Sequence, residues 1–108
     1  MQYASSFQKL FYQKKTADEI MKLIRTEGFQ PIKISNSPGY EYVPHQHPGI
    51  KILAILKGEM SIFLNGTIVT ASKGDRVVIA GNDVHAATIG PKGCEFFWAE
   101  KVLMVISR

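Results

Sequence analysis

Hydrophobic and polar positions follow a helical period in one stretch near the N-terminus, residues 16–27. The apolar stripe consists of Ala17, Ile20, Leu23 and Ile24. Thr16 can cap the first turn, and Glu19, three residues later, can return the hydrogen bond in a capping box. Gly28 follows the last turn, where a glycine commonly ends a helix. The pattern therefore predicts one amphipathic helix that packs against the rest of the chain.

After this helix, the pattern changes to short β-rich runs separated by turn residues. The predicted strands are residues 52–56, 60–64, 67–71 and 76–80, with one long or two short closing strands in 95–106. Asn65 and Gly66 form the residue pair favoured in type I′ hairpin turns. Further turns are expected at the glycine-containing stretches 73–75, 81–83 and 90–93. This succession predicts an all-β sandwich or small barrel with one N-terminal helix.

One domain is expected, because 108 residues suffice for one compact core but not for two ordinary domains. Residues 1–30 are predicted to form a strand and helix extension packed on a barrel of residues 31–108. The weak alternation in the first dozen residues leaves open whether their strand pairs within one subunit or across a dimer. Residues 52–56 are apolar without interruption, which predicts a strand buried on both faces. A homodimer would supply the second cover, so we expect one.

The three histidines of the chain are the main candidates for chemistry: His45, His47 and His85. Residues two apart in an extended strand project from the same face, so His45 and His47 aim two imidazoles into one space. A third imidazole from a neighbouring strand would complete a set of nitrogen ligands suited to iron, zinc, manganese, nickel or copper. The alternative is a metal-free pocket for an organic ligand, in which each imidazole is separately hydrogen-bonded.

The histidines also stand in two spaced patterns. The first pattern is Gly39, five residues, His45, Gln46, His47, three residues, Lys51, six residues and Gly58; the second is Gly74, five residues, Ala80, Gly81, Asn82, two residues and His85. Together they resemble the two motifs of the cupin superfamily, over nearly all of residues 39–89. The resemblance implies a small antiparallel β-barrel or jelly roll that holds one divalent metal ion.

Lys51 is the main departure from the family pattern, which usually has a metal-binding glutamate at this position. A unit charge about 5 Å from a dication costs roughly 6–7 kcal/mol at an effective dielectric constant near 20. Four arrangements avoid that cost: the lysine turns outward, it is neutral, an anion lies between it and the metal, or no metal binds. Glu41 could pair with Lys51 or supply an oxygen ligand, unless Pro44 interrupts the strand alternation.

Four aromatic residues near the motifs could line a pocket, although aromatic strand residues also serve as core. They are Tyr40, Tyr42, Phe97 and Trp98. The resemblance then implies a metal-dependent oxygenase or isomerase of a small anionic substrate, with Lys51 orienting the anion or moving a proton. The competing hypothesis is a binding or sensor module that turns nothing over, and a third is a structural cupin without pocket chemistry.

Composition narrows the partners. The formal net charge is +4, but the lysines are dispersed and accompany no nucleic-acid motif, so we expect no nucleic-acid partner. No stretch approaches the roughly 20 apolar residues of a membrane helix, and the N-terminus lacks the pattern of a signal peptide. A cytoplasmic protein without membrane contact is therefore expected. The single cysteine, Cys94, excludes an internal disulfide, and we interpret it as an ordinary buried thiol.

Overall fold

Two long antiparallel strands form the centre of the fold, which a computed structural model describes for residues 4–102. In chain order the elements are β1 (Ser6–Gln8), α1 (Ala17–Thr26), β2 (Ile32–Asn36), β3 (Glu41–His45), β4 (Ile50–Leu64), β5 (Thr67–Ser72), β6 (Arg76–Ile79) and β7 (His85–Lys101). The long strands β4 and β7 pair with each other over most of their length. In this part of the chain the structure is therefore an antiparallel β fold with one helix.

The remaining strands are arranged around this central pair. β4 also pairs with β5 and β6, while β7 also pairs with β2 and β3. β1 extends the sheet beyond β6. All of these pairings are antiparallel, and the sheet forms the jelly-roll barrel that the sequence predicts.

β4 separates two hydrophobic clusters because its successive side chains point to opposite faces of the sheet. Leu53 and Ile55 belong to the cluster inside the barrel. Ile52 and Ala54 belong to a second cluster on the outer face. That outer cluster also contains Tyr12, Ile20, Ile24 and Phe29. The apolar run in β4 is thus covered on both faces within one chain and does not by itself require a second subunit; the homodimer stays a prediction.

The helix forms as its sequence predicts. The Thr16 side chain accepts a hydrogen bond from the Glu19 backbone N–H at 3.1 Å, and the Thr16 N–H donates to Glu19 Oε1 at 2.8 Å. Ile20 and Ile24 are buried against the sheet, whereas Leu23 lies at the margin and is 40% exposed. Among the described residues, no helix is long and apolar enough to cross a membrane.

The segment before the helix is joined to the sheet in the same subunit. Residues Ser6–Gln8 pair with β6 of the same chain. The sequence leaves open whether this strand pairs within one subunit or across a dimer, and the structure shows the first arrangement. The buried guanidinium of Arg76 donates to Gln8 Oε1 at 2.5 Å and to Glu27 Oε2 at 2.8 Å. It also lies 4.1 Å from the ring centroid of Phe11. One side chain therefore connects β1, the following loop and the end of α1.

The predicted hairpin is confirmed, but one predicted turn is wrong. Asn65 and Gly66 both have positive φ, 50° and 78°, as a type I′ turn requires. Residues 90–93, predicted as a turn between strands, lie instead inside β7. The register between β4 and β7 shifts at this point, so these residues form an irregularity within a continuous strand. Residues 103–106 of the predicted closing strand lie outside the described part of the chain.

Candidate metal centre

The three histidines converge at the junction of β3 and β7. His45 ends β3 and His85 begins β7, where the two residues are direct register partners. His47 follows in the loop between β3 and β4 rather than in the same strand. The ring centroids lie 4.2 Å apart for His45 and His85, 4.7 Å for His45 and His47, and 5.5 Å for His47 and His85. The sequence therefore predicts the cluster correctly, but its prediction of one regular strand through His45 and His47 is wrong.

Hydrogen bonds fix two of the rings and leave nitrogen atoms available. His45 Nδ1 lies 2.5 Å from the Val43 carbonyl oxygen, and His85 Nδ1 lies 3.0 Å from the Asp83 carbonyl oxygen. A carbonyl only accepts, so each Nδ1 carries the proton and the Nε2 atom of the ring has a free lone pair. His47 Nε2 and His85 Nε2 are buried without a hydrogen-bond partner among the described residues.

This donor set fits a divalent transition metal. One ligand atom from each imidazole can be chosen so that all lie within 4.8 Å of one another. Zinc–nitrogen bonds are roughly 2.0–2.1 Å long, so each of the three rings would contribute one nitrogen atom to the same ion. Buried nitrogen atoms without partners are costly in a protein interior, and a shared cation would satisfy them. Three protein ligands leave coordination positions open, as catalytic metal sites require.

The surroundings of the histidines favour their neutral, ligating form. Burial lowers the pKa of the His85 imidazole, and the nearby His45, Lys51 and His47 lower it further, whereas the hydrogen bond that the ring donates to the Asp83 carbonyl raises it. Burial also lowers the pKa of His47, with the charge of Lys51 as the next cause. A base whose pKa is lowered is deprotonated more readily, and only a deprotonated nitrogen can bind a metal.

Lys51 points into the same space instead of outward. Its side chain lines the cavity beside the histidines, and the residue is only 6% exposed. Its Nζ lies 5.1 Å from the ring centroid of Trp98. Burial lowers the pKa of the Lys51 ammonium, while the neighbouring Glu100 carboxylate raises it. The lysine that replaces the usual glutamate is therefore a component of the cavity wall.

The cavity has a volume of about 390 Å³, and only some of the predicted pocket residues line it. Tyr42 and Trp98 line it. Tyr40 is largely exposed and contacts Tyr42 from outside the lining, and Phe97 belongs to the outer cluster under α1. Glu41 is also exposed, because the register shift between Tyr42 and His45 breaks the alternation that would align it with His45.

The sequence analysis missed the apolar part of the cavity wall. This part consists of Ile32, Ile34, Leu53, Met60, Ile62, Ile79, Ala86, Ala87 and Phe96. Alternation along β4 predicts only that Met60 and Ile62 share a face. The register shifts between Ile55 and Met60 change the parity of the strand, so alternation alone does not predict that Leu53 faces the cavity together with Met60 and Ile62.

A family model places the chain among known proteins. The model for the AraC-like ligand-binding domain matches residues 32–100, which include every strand from β2 to β6 and nearly all of β7. The fold and the match together define a small protein of the cupin superfamily. The chain belongs to the AraC-like ligand-binding domain family. No protein with a curated description matches it.

Solved structures agree on the fold. A predicted oxalate decarboxylase from Thermotoga maritima matches with a TM-score of 0.64 at 20% identity over 93% of each chain. An RmlC-like cupin from Shewanella frigidimarina matches with a TM-score of 0.62 at 22% identity over 67% of this chain and 64% of its own. The dimethylsulfoniopropionate (DMSP) lyase DddQ from Ruegeria pomeroyi gives a TM-score of 0.64 at 21% identity over 73% of this chain, and the match spans 41% of that lyase. At these identities the likeness shows the fold alone.

Proposed function

We propose that the chain binds one divalent transition metal through His45, His47 and His85, and that it converts a small anionic organic substrate at that site. The observation that carries the proposal is the convergence of three imidazoles with buried, unpartnered nitrogen atoms. Iron, zinc, manganese, nickel and copper all accept such ligands. A structural neighbour described as a predicted oxalate decarboxylase supports chemistry on a small anion in this fold.

The histidines, Lys51 and the apolar wall would each have a separate role in this reaction. The three histidines hold the ion, whose chemistry when bound is that of a Lewis acid with open positions for substrate. Lys51 lies in the wall of the same cavity and supplies a positive charge for an anionic group of the substrate. Since burial lowers the pKa of its ammonium, Lys51 is also the group that could move a proton at the substrate. The apolar residues of the wall offer no hydrogen-bond partner to water beside the substrate.

Elemental analysis of protein made without a histidine tag tests the metal site. We expect one equivalent of a transition metal per chain in the wild type and loss of most of it in His47→Gln and His85→Gln. Gln46→Ala is the matched control, because Gln46 lies between two of the ligands but is exposed. Wild-type protein that neither retains nor takes up metal would refute the site.

A second candidate function is a binding or sensor module that holds a metal or metabolite without turnover. The specific observation in its favour is the match to a family defined as a ligand-binding domain. Oxygen uptake after anaerobic iron loading separates one form of the enzyme from the sensor. Stoichiometric iron with substrate-dependent oxygen consumption supports an oxygenase. Stoichiometric metal with no conversion of any tested small acid, in air or without it, supports the sensor.

A further inference from the structure

The cavity wall has polar side chains next to the histidines and hydrocarbon elsewhere. Its ionisable members are the three histidines and Lys51, with Tyr42 as the only hydroxyl. The Tyr42 hydroxyl donates a hydrogen bond to Asn36 Oδ1 at 2.6 Å. Asn36 does not line the cavity, so this proton is not available to a ligand. No carboxylate or amide side chain belongs to the wall as described. A ligand therefore meets one charged region, and beyond it the Tyr42 oxygen and the Trp98 indole N–H are the remaining side-chain hydrogen-bonding groups of the described wall.

The polar region carries an unpaired positive charge. Within residues 4–102, no ion pair or hydrogen bond to the Lys51 ammonium is present. Glu100 is the register partner of Lys51 across β4 and β7, but it forms no ion pair with it. Lys51 is also the one lysine or arginine in the wall. The ammonium contacts the Trp98 ring but has no ion pair with a carboxylate of the described residues, and such a buried cation favours a ligand that brings a negative charge.

We propose that the ligand of this cavity is a monocarboxylate with an apolar tail, such as a medium-chain fatty acid or an arylalkanoic acid. The carboxylate lies at Lys51 and the histidines, and the tail lies along the hydrocarbon wall formed by residues such as Ile34, Met60 and Phe96. This inference rests on the proposed function for the anionic end of the ligand and extends it to the tail. A dicarboxylate or a sugar acid would leave its additional polar groups without partners against the apolar wall.

The proposal makes a quantitative statement about chain length. Burial of one methylene group corresponds to about a threefold to fourfold gain in affinity. Four such groups separate butanoate from octanoate, so affinity should rise by roughly 80- to 250-fold between them, until the volume of about 390 Å³ is filled. Octanedioate has the same length but a second carboxylate, and 1-octanol has the tail without the charge. Comparison of these four compounds separates the contribution of the carboxylate to affinity from that of the apolar tail.

Trp98 provides the readout, since it is the only tryptophan of the chain and lines the cavity. Its fluorescence is titrated with each compound and with gluconate, in metal-free protein and in protein loaded with one equivalent of zinc. We expect octanoate to bind at least tenfold more tightly than octanedioate, gluconate or 1-octanol. In Lys51→Met, octanoate should lose most of its advantage over 1-octanol, because the ammonium no longer pairs with the carboxylate.

A pair of variants tests the tail. Ile34→Thr places a hydroxyl in the wall and should weaken octanoate at least threefold while leaving butanoate nearly unchanged. Ile68→Thr is the matched control, since Ile68 is 70% exposed on β5 and does not line the cavity. Circular dichroism confirms that both variants are folded before their affinities are compared.

The outcomes distinguish the tail from the metal. Affinity that is flat or falls with chain length, tighter binding of gluconate or octanedioate, or no binding at millimolar concentration in either form would each overturn the inference. Failure of zinc to load, measured separately by elemental analysis, refutes the proposed metal site instead. If the carboxylates bind the metal-free protein with the expected dependence on chain length, the proposed ligand class is supported, and Lys51 and the apolar wall are sufficient for its recognition.

Discussion

At the scale of single residues, the ammonium of Lys51 opposes any divalent ion held by the neighbouring histidines. Lys51→Met removes the charge and keeps a side chain of similar length. In a buffer without coordinating anions, we expect the variant to bind zinc at least about tenfold more tightly, equivalent to about 1.4 kcal/mol. Competition with a chromogenic chelator measures the affinity. Lys57→Met is the control, because Lys57 is exposed on the same strand; equal zinc affinity in both variants would contradict the repulsion.

Cys94 gives the fold a dependence on alkaline pH. Burial, followed by the charges of Glu59 and Glu95, raises the pKa of its thiol from 9.0 to about 11. As the pH rises, the unfolded chain therefore loses this proton first, so the stabilisation is complete below pH 9 and is lost towards pH 11. We expect the stability difference between wild type and Cys94→Ala to fall by about 2 kcal/mol over this range.

Urea unfolding of both proteins at a series of pH values checks this prediction. The other ionisable groups contribute equally to the two proteins, so the difference isolates the thiol. Parallel pH profiles would show that Cys94 does not titrate differently in the folded and unfolded chains. The same burial should leave the native thiol nearly inert towards an aromatic disulfide reagent until the protein unfolds.

The residues of the site differ in how far the sequence could predict them. The spacing of His45, His47 and His85 identifies the cluster, because two of them lie close in the chain and the third follows its own turn. Glu41 does not lie beside His45, because a bulge interrupts the strand alternation on which the sequence prediction depends. Such a bulge depends on the register of β3 against β7, which is a contact between distant segments and leaves no local signal apart from Pro44.

At the scale of elements, two glycines with similar backbone conformation fulfil different requirements. Gly66 has φ +78° in the β4–β5 hairpin, and an added Cβ would meet nothing within 4 Å. Gly58 has φ +76° inside β4, and an added Cβ would clash with the Gly93 carbonyl oxygen. The first glycine thus serves only the turn. The second also permits the close approach of β4 and β7 where their register shifts.

Alanine substitutions separate these two requirements. Gly66→Ala should cost about 1–2 kcal/mol, the penalty of the left-handed conformation alone. Gly58→Ala should cost more than about 4 kcal/mol or prevent folding, because the clash is with backbone and cannot be relieved by a side-chain rotation. Urea unfolding of the soluble variants, together with the soluble yield on expression, provides the measurement. Similar losses in both variants would show that the approach of β4 to β7 is not constrained.

The elements that the sequence predicts well are those with local signals. The helix has its capping box at Thr16 and Glu19, and the hairpin has Asn65 and Gly66. The stretch 90–93 misleads because glycine and proline are typical of turns, whereas here they occur at an irregularity within β7. Composition alone cannot separate a turn from a bulge, since both need residues that tolerate an unusual backbone.

At the scale of the whole molecule, the sequence predicts a homodimer from the apolar run in β4. The structure supplies the outer cover from α1 and the residues flanking it, so that argument no longer requires a partner. Association remains a prediction for other surfaces of the protein. Sedimentation equilibrium over a range of concentrations measures it directly. A single species with the mass of one chain at all concentrations would reject the dimer.

The two hydrophobic clusters share β4, so the domain should unfold as one unit. Ile24 on α1 is fully buried in the outer cluster, and Ile24→Ala should destabilise the whole domain by about 3 kcal/mol. Leu23→Ala on the same helix should cost less than about 1 kcal/mol, because Leu23 is 40% exposed. Circular dichroism reports the helix and strands, and Trp98 fluorescence reports the barrel interior.

For Ile24→Ala, both signals should move to the same lower urea midpoint, while zinc affinity under native conditions stays within about twofold of wild type. This outcome follows if α1 stabilises the sheet as a whole and contributes no group to the cavity, as the lining residues indicate. Separate midpoints for the two signals would instead show that α1 detaches before the barrel unfolds. The outer cluster would then be a brace on an independently stable barrel rather than a part of one cooperative core.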